Sequence, residues 1–301
     1  MSHDAASDGS AAYVVHRRFT KLLTELERCE PLVRYGAPES IHRMRVAARR
    51  LRNALASYRP LLDRQTTNRL RRELEWLTSE LGEPRDVEVL HGRLRELLAE
   101  EPPDLVRGGV VAFVDRTMTD RWRSAQDSLI RALASPRYLA LLEDLRGLVA
   151  EPPWSAPARQ PAQEVLSGRL RHDLKRLERQ IVAADAAGEP DERAARLHDV
   201  RKAAKRVRYA AEPLVPLYGK QARRLVATAE DIQSVLGTHQ DAVVAQAELM
   251  RLAEAATAEG EDPFTLGILH TREEARAAGS AKEFAQLWKV ARRKNRHRWP
   301  D

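Results

Sequence analysis

Two segments of the chain repeat one pattern of histidine and cationic residues. Residues 42–52 read HRMRVAARRLR, and residues 198–208 read HDVRKAAKRVR. The shared pattern is His-x-x-Arg-x-Ala-Ala-(Arg/Lys)-Arg-(apolar)-Arg, with cations three and four positions apart. Because an α-helix turns by about 100° per residue, this spacing returns the cations to one side of a helix. Each segment therefore predicts a helix with a cationic stripe, and two such stripes indicate a polyanionic ligand.

Each stripe comprises the residues within one narrow sector of its helix. They are His42, Arg45, Arg49 and Arg52 in the first segment and His198, Arg201, Lys205 and Arg208 in the second. Arginine suits phosphate because its planar guanidinium donates two parallel hydrogen bonds and does not lose its charge. A solvated charged face is the alternative interpretation, but it would place acidic residues four positions away, and the stripes contain none. Linear polyphosphate or a nucleic acid backbone would fit the stripes, and binding would weaken as salt rises.

Further basic residues flank both stripes on the helices before and after them. They include Arg69, Arg71 and Arg72 after the first stripe. Around the second stripe they include Arg169 and Arg179 before it and Arg223 after it. The flanking candidates for ligand contact are His16, Arg17, Lys21, Arg72, Arg85, His172, Arg176, Lys220 and Arg224. Taken singly, each fits a solvated surface cation better than a ligand contact. The stripe histidines either donate to phosphate, with a charge that varies near neutral pH, or form hydrogen bonds near the core.

The similarity between the two halves extends beyond the stripes. A shift of 155 or 156 positions matches His16 with His172, His42 with His198, Pro60-Leu61 with Pro216-Leu217, Leu81-Gly82 with Leu236-Gly237, and Asp86 with Asp241. The duplicated unit of about 150 residues is much longer than solenoid repeats of about 20 to 50 residues. This predicts two similar bundles related by a pseudo-two-fold axis. For Asp86 and Asp241 we expect a structural role, either capping the next helix or orienting a nearby arginine.

The composition and the apolar pattern predict an all-α fold. The 301 residues are 43% hydrophobic and 32% charged, and 51 Lys and Arg against 44 Asp and Glu give a net charge of +7. Apolar residues recur at three- and four-residue spacing, and alternating β-branched runs are missing. Helices are predicted at 12–29, 38–58, 65–82, 84–99, 107–134 and 136–149, and at 160–186, 191–216, 219–236, 239–259, 263–277 and 280–298. Short loops between such helices favour antiparallel bundles, here two bundles around one basic groove.

The predicted organisation is a disordered leader at 1–10, a first helical bundle at 11–150, a Pro-rich junction at 151–158 and a second bundle at 159–301. The single cysteine, Cys29, excludes an intrachain disulfide and suits a reducing compartment. The sequence shows neither a signal peptide nor an apolar run of about 18 residues. We therefore expect a cytoplasmic protein without a membrane span.

Several further segments accompany the two His-x-x-Arg blocks. They are Pro60-Leu61-Leu62, LGEPRDV at 81–87, LGTHQD at 236–241, LGIL at 266–269 and Trp288. In these features the chain resembles the CHAD family, the conserved histidine α-helical domain, over residues 12–299. The resemblance implies helical bundles around a basic cavity that binds inorganic polyphosphate, often at polyphosphate granules. It implies phosphate contacts by His42, Arg45, Arg49, Arg50, Arg52, His198, Arg201, Lys202, Lys205, Arg206 and Arg208.

We therefore predict a non-enzymatic polyphosphate-binding protein that requires no cofactor or metal. Some members of the family carry a triphosphate-hydrolysing domain upstream, but its Glu-x-Glu-x-Lys signature is absent here, so hydrolysis is not expected. RNA binding is the closer alternative, but single-strand readers interleave aromatic residues with cations, and aromatic residues are 5% of this chain with none in either block. A metal-dependent phosphohydrolase could use His172-Asp173 and His198-Asp199, yet the first half has arginine after the matching histidines. A scaffold or a module for acidic protein partners is a third class.

Overall fold

The computed structural model describes residues 9–294 and Trp299. These residues form eleven α-helices and three short 3-10 turns and contain no β-strand, which confirms the predicted all-α class. The α-helices are α1 (Ala11–Arg34), α2 (Ser40–Ser57), α3 (Arg64–Glu80), α4 (Gly82–Glu100), α5 (Val110–Leu133), α6 (Pro136–Ala150), α7 (Ala162–Ala186), α8 (Pro190–Ala211), α9 (Val215–Tyr218), α10 (Lys220–Ala258) and α11 (Phe264–Arg293). Of the predicted leader, residues 1–8 lie outside the described residues, as do residues 295–298 of the last predicted helix. Ser10 caps α1 by accepting a hydrogen bond from the backbone N–H of Tyr13 at 3.2 Å.

Two pairs of predicted helices in the second half are each one continuous helix. α10 runs without interruption through Gly237, and α11 runs through Gly279. In the first half α3 and α4 are separate, because Pro84 has no N–H for the carbonyl of Glu80 and its ring would clash with that carbonyl. The matching position in the second half is His239, which continues the helix. The predicted turn at this point of the second half is therefore wrong.

Two apolar cores hold the helices together. The larger core lies between α1, α2, α3, α6, α7, α8, the end of α5, the first half of α10 and the end of α11. The smaller core lies between α4, α5, the second half of α10 and the first part of α11. Each core combines helices from both sides of the 151–158 segment, and α10 and α11 pass through both cores. The division into bundles at 11–150 and 159–301 stays a prediction.

The two basic helices bury their apolar sides and pack beside one another. On α2 the predicted core side is buried and consists of Ile41, Met44, Ala48, Leu51 and Leu55. The corresponding buried side of α8 consists of Leu197, Val200, Ala204, Val207 and Ala211. α2 packs against α1, α3 and α8, while α8 packs against α7, α10 and α2. The larger core therefore brings the cationic stripes next to each other. Over the described residues, no helix has the length and apolar character needed to span a bilayer.

Candidate functional site

Four cations from the two stripes meet where α2 and α8 pack together. We refer to Arg45 and Arg49 of α2 with Arg201 and Lys205 of α8 as the central cluster. The pKa of Lys205 is lowered to about 7, first by burial and then by the charges of Arg201, Arg49 and Arg45. Burial also lowers the pKa of Arg201, with Asp241 opposing this shift and Arg49 and Arg45 adding to it. These mutual effects show that the fold concentrates positive charge between the two stripes.

Several guanidinium groups at this surface have donors that no protein group accepts. The Nε atoms of Arg49, Arg50 and Arg201 are shielded from solvent and have no hydrogen-bond partner among the described residues. Leaving such a donor unsatisfied costs about 1–3 kcal/mol. The Cζ of Arg50 lies 5.8 Å from the centre of the Tyr209 ring, a cation–π contact that supports the guanidinium. Donors placed in this way are suited to a phosphate oxygen that arrives from outside.

Each half of the chain packs one stripe arginine against the glycine of its Leu-Gly pair. The guanidinium of Arg45 lies 3.7 Å from the position that a Cβ on Gly82 would occupy. The guanidinium of Arg201 lies 3.5 Å from the same point at Gly237. Arg45 also donates to Oδ1 of Asp86 at 2.7 Å, which confirms the expected arginine-orienting role of Asp86. The repeated Leu-Gly pairs therefore help to position the stripes.

Carboxylates neutralise part of each basic block, contrary to the expectation from the stripes alone. The ion pairs are Arg45–Asp86 at 2.7 Å, Arg52–Glu75 at 3.4 Å, Lys202–Asp199 at 2.9 Å, Arg208–Glu230 at 2.7 Å and Arg208–Glu212 at 3.1 Å. Three of these carboxylates lie on other helices, α3, α4 and α10. The spacing of residues within one helix cannot reveal such partners. Glu212 lies four positions after Arg208, just beyond the repeated segment. Within residues 9–294, the basic-block cations that form no ion pair include Arg49, Arg50, Arg201, Lys205 and Arg206.

The two stripe histidines are both biased toward their neutral form. Partial burial, followed by the charge of Arg85, lowers the pKa of His42. Partial burial and then the charge of Lys202 lower the pKa of His198, while a hydrogen bond with the Gln240 side chain opposes this shift. A neutral imidazole still has one ring N–H that can donate to a phosphate oxygen.

The flanking candidates differ in their surroundings. His16 donates from Nε2 to the carbonyl of Val149 at 2.9 Å, a contact that ties α1 to α6. Arg85 pairs with Glu39 at 3.1 Å and with Glu88 at 2.9 Å. The remaining flanking candidates are exposed, namely Arg17, Lys21, Arg72, His172, Arg176, Lys220 and Arg224. For all of the flanking candidates, contact with phosphate stays a prediction.

Two residues at this surface were not among the predicted phosphate contacts, although Arg71 was named among the basic residues that flank the first stripe. Arg71 has a shielded Nε without a hydrogen-bond partner among the described residues, and its match in the second half is the uncharged Val226. Tyr209 directly follows the second block and is 7% exposed. Its ring lies near the guanidiniums of both Arg50 and Arg208, at 5.8 and 5.9 Å. A search for cations at helical spacing inside the blocks detects neither residue.

The His-Asp pairs that suggested metal binding have carboxylates close to cations. Asp199 accepts a hydrogen bond from Nζ of Lys202 at 2.9 Å. Asp173 is buried on α7, where the charges of Arg169, His172 and other cations act on it. Over residues 9–294 and Trp299, no three His, Cys, Asp or Glu side chains gather in a way that could hold a metal ion.

Known proteins match this chain over most of its length. The model of the CHAD domain family matches residues 17–250. Two uncharacterized proteins of Mycobacterium tuberculosis, Rv2226 of strain H37Rv and MT2285 of strain CDC 1551, are each 33% identical to the chain over 259 residues. The alignments cover 86% of this chain and 49% of each relative. The chain therefore spans about half the length of these curated relatives.

Two solved structures share the fold. PptA from Streptomyces chartreusis has a TM-score of 0.77 at 22% identity, covering 94% of this chain and 100% of that chain. The CHAD domain from the plant Ricinus communis has a TM-score of 0.74 at 25% identity, covering 100% of this chain and 96% of that chain. Because the family model matches most of the sequence and the fold agrees along nearly the whole chain, this protein belongs to the CHAD domain family.

Proposed function

We propose that this protein binds inorganic polyphosphate, with the central cluster as the middle of the binding surface. The proposal rests above all on the meeting of Arg45 and Arg49 with Arg201 and Lys205. Like charges that are held together disfavour one another's charged forms, and burial followed by the three arginine charges lowers the pKa of Lys205. A polyanion would offset the repulsion by supplying negative charge among the four side chains.

Inorganic polyphosphate matches the chemistry of this surface. Its non-bridging oxygens accept the charge-assisted hydrogen bonds that arginine donates, and a single bridging oxygen separates consecutive phosphorus atoms. The shielded Nε donors of Arg49, Arg50 and Arg201 are suited to a closely spaced row of such oxygens. Membership of the CHAD family supports the same ligand. We propose binding without hydrolysis, in the cytoplasm and in association with polyphosphate granules.

RNA fits the same surface less well. Proteins that bind single-stranded nucleic acid usually offer exposed aromatic rings on which bases stack. Tyr209 is 7% exposed and lies against Arg50, so its ring is not presented to a base. Phosphate without base recognition therefore describes this surface better.

The test compares polyanions on the purified protein. Isothermal titration calorimetry and thermal unfolding would be measured with long-chain polyphosphate, RNA and heparin at equal total charge. A ligand that binds only the folded state raises the Tm, and we expect polyphosphate to raise it far more than RNA or heparin does. Equal competition by RNA at about 0.15 M salt, where exposed charges are screened beyond about 8 Å, would favour the nucleic-acid function instead.

A charge-reversal variant tests the location of the site. R49E should lower the affinity for polyphosphate by roughly two orders of magnitude, because it replaces an attractive group with a repulsive one. The matched control is R123E, which makes the same charge change on an exposed residue of α5 that pairs with Asp120. Circular dichroism should show unchanged helicity for both variants. Loss of helicity in R49E alone would mean that Arg49 has a structural role.

A further inference from the structure

A second group of cations lies on one side of the central cluster. Its members are Arg52, Arg71, Arg176 and Arg206, from α2, α3, α7 and α8, and we refer to them as the lateral cluster. Arg52 and Arg206 continue the basic blocks beyond the central cluster on their own helices. The two clusters therefore form one continuous basic surface.

Contacts between helices bring the lateral cluster together. Nη1 of Arg52 donates to Oγ1 of Thr78 at 3.4 Å, which places Arg52 against α3, two turns from Arg71. Nε of Arg169 donates to the carbonyl of Ser57 at 3.0 Å, which ties α7 to the end of α2. α3 and α7 thus both adjoin the paired helices α2 and α8 on this side.

The charges of the lateral cluster act on one another. Burial lowers the pKa of Arg206, the charges of Arg176, Arg71 and Arg52 lower it further, and Asp173 opposes them. The Nε of Arg71 is shielded from solvent and has no hydrogen-bond partner among the described residues. Asp173 is 6% exposed, and its Oδ2 also has no hydrogen-bond partner there. Glu75 pairs with Arg52 at 3.4 Å, so the cluster combines four cations with two carboxylates, of which Asp173 is buried, and keeps an excess of positive charge.

On the opposite side of the central cluster, two carboxylates pair with one arginine. There Arg208 pairs with Glu230 at 2.7 Å and with Glu212 at 3.1 Å. Arg208 corresponds to Arg52 when the two halves of the sequence are aligned. If the halves were identical, the two sides of the central cluster would therefore carry the same charges. The sides differ because the cations that α3 and α7 contribute to the lateral cluster are matched by uncharged residues in the other half.

We propose that the lateral cluster is a second binding segment for the same polyphosphate chain, which runs from the central cluster toward α3 and α7. This inference rests on the proposed function and gives the bound chain a direction. Glu230 on the opposite side has a counterpart in Glu75, but Glu212 matches Ala56 and adds a carboxylate that repels a polyanion there. A ligand of two or three phosphates engages the central cluster alone, whereas a longer chain engages both clusters. The lateral cluster thus makes the affinity depend on chain length.

The experiment uses a double variant, R71Q/R176Q, with triphosphate and long-chain polyphosphate as the two ligands. The matched control is R64Q/K175Q, which removes two exposed cations from the same helices, α3 and α7. Affinity is measured by calorimetry over a series of salt concentrations. For long chains we expect R71Q/R176Q to bind roughly tenfold or more weakly. The slope of log affinity against log salt should fall by up to about 1.4, at about 0.7 for each phosphate that the variant no longer neutralises. Triphosphate affinity should equal that of the control.

The possible outcomes separate this inference from the proposed function. If R71Q/R176Q and its control bind long chains with equal affinity and salt slope, while R49Q/K205Q weakens both ligands, the lateral cluster is not a binding segment and the proposed function stands. If the unmodified protein binds neither ligand, the proposed function fails and the inference fails with it. R71K/R176K restores the charges and should recover the salt slope. A folded R71K/R176K protein without that recovery would contradict the proposal.

Discussion

The guanidinium of Arg201 lies 3.5 Å from the point where a Cβ on Gly237 would stand, inside the 39-residue helix α10. Glycine inside a helix lowers stability by about 0.5–1 kcal/mol relative to alanine. Here the glycine lies where the guanidinium of Arg201, a member of the central cluster, packs against α10. Arg45 makes the matching contact with Gly82 in the first half. The absence of a side chain at these two positions lets the stripe arginines pack closely against the neighbouring helix.

Substitution of Gly237 should therefore separate helix stability from binding. Gly237→Ala should raise the free energy of unfolding by up to about 1 kcal/mol, because its Cβ meets Arg201 at an ordinary contact distance. Gly237→Leu should displace Arg201 and weaken polyphosphate binding by about tenfold, or 1.4 kcal/mol. Urea unfolding and calorimetry measure the two effects. Equal binding by both variants would show that the position of Arg201 does not matter.

Lys205 should make polyphosphate binding depend on pH. Arg201 on the same helix, Arg45 and Arg49 on α2, and Asp241 on α10 face the ammonium, and burial with the three arginine charges holds its pKa at about 7. A bound polyanion favours the charged form, so binding should take up a proton and be stronger at about pH 6 than at about pH 8. K205R keeps its charge and should take up fewer protons. Calorimetry in buffers of different ionisation enthalpy measures the uptake, and equal uptake by K205R and the unmodified protein would contradict the prediction.

The same lysine should destabilise the unliganded fold at low pH. The pKa of Lys205 falls from 10.5 in the unfolded chain to about 7 in the fold. The unfolded state therefore binds more protons between these values, so the free energy of unfolding rises with pH across this window, and the full penalty is present below about pH 7. K205M removes the penalty and should stabilise the protein more at about pH 6 than at about pH 10. Urea unfolding measures the gain in the free energy of unfolding at both pH values. Equal gains at the two pH values would contradict the prediction.

Asp173→Asn should strengthen the binding of long polyphosphate chains. Burial raises the pKa of Asp173, while the charges of nearby cations, including Arg206 and Arg176, lower it. Its carboxylate offsets part of the charge of the lateral cluster, and asparagine has nearly the same shape without that charge. We expect a gain of about 1 kcal/mol, or roughly fivefold in affinity, for long chains and no gain for triphosphate. The control is D185N, an exposed residue of the same helix. Weaker binding by D173N would mean that Asp173 positions the arginines.

The smaller core should unfold together with the larger one. Phe113 is 1% exposed in the smaller core, and Phe113→Ala should lower the free energy of unfolding by about 3–5 kcal/mol. Because α10 and α11 pass through both cores, the destabilisation should appear in a single transition, observed alike by circular dichroism and by fluorescence. Polyphosphate affinity should be unchanged where the variant is folded. Two separate transitions would show that the cores are independent.

The local pattern of each helix could be predicted from the sequence. The spacing of Met44, Leu51 and Leu55 predicted the buried side of α2, and these residues are fully or almost fully buried. The prediction succeeds because the face of a helix depends only on residues within a few turns. It failed near Gly237, where similarity to the first half suggested a turn but no proline interrupts α10. The resemblance to the CHAD family was likewise visible in the repeated blocks.

The neighbours of each stripe were decided only by the packing of distant helices. Glu75, Asp86 and Glu230 reach the stripes from α3, α4 and α10, and Arg71 joins the basic surface from α3. No spacing within one segment encodes these partners, because they follow from how the apolar sides of α2 and α8 pack into a shared core. Sequence periodicity was enough to place cations on two helices. The tertiary fold decided which of those cations carboxylates neutralise and which, like Arg49, are left without an ion pair among the described residues.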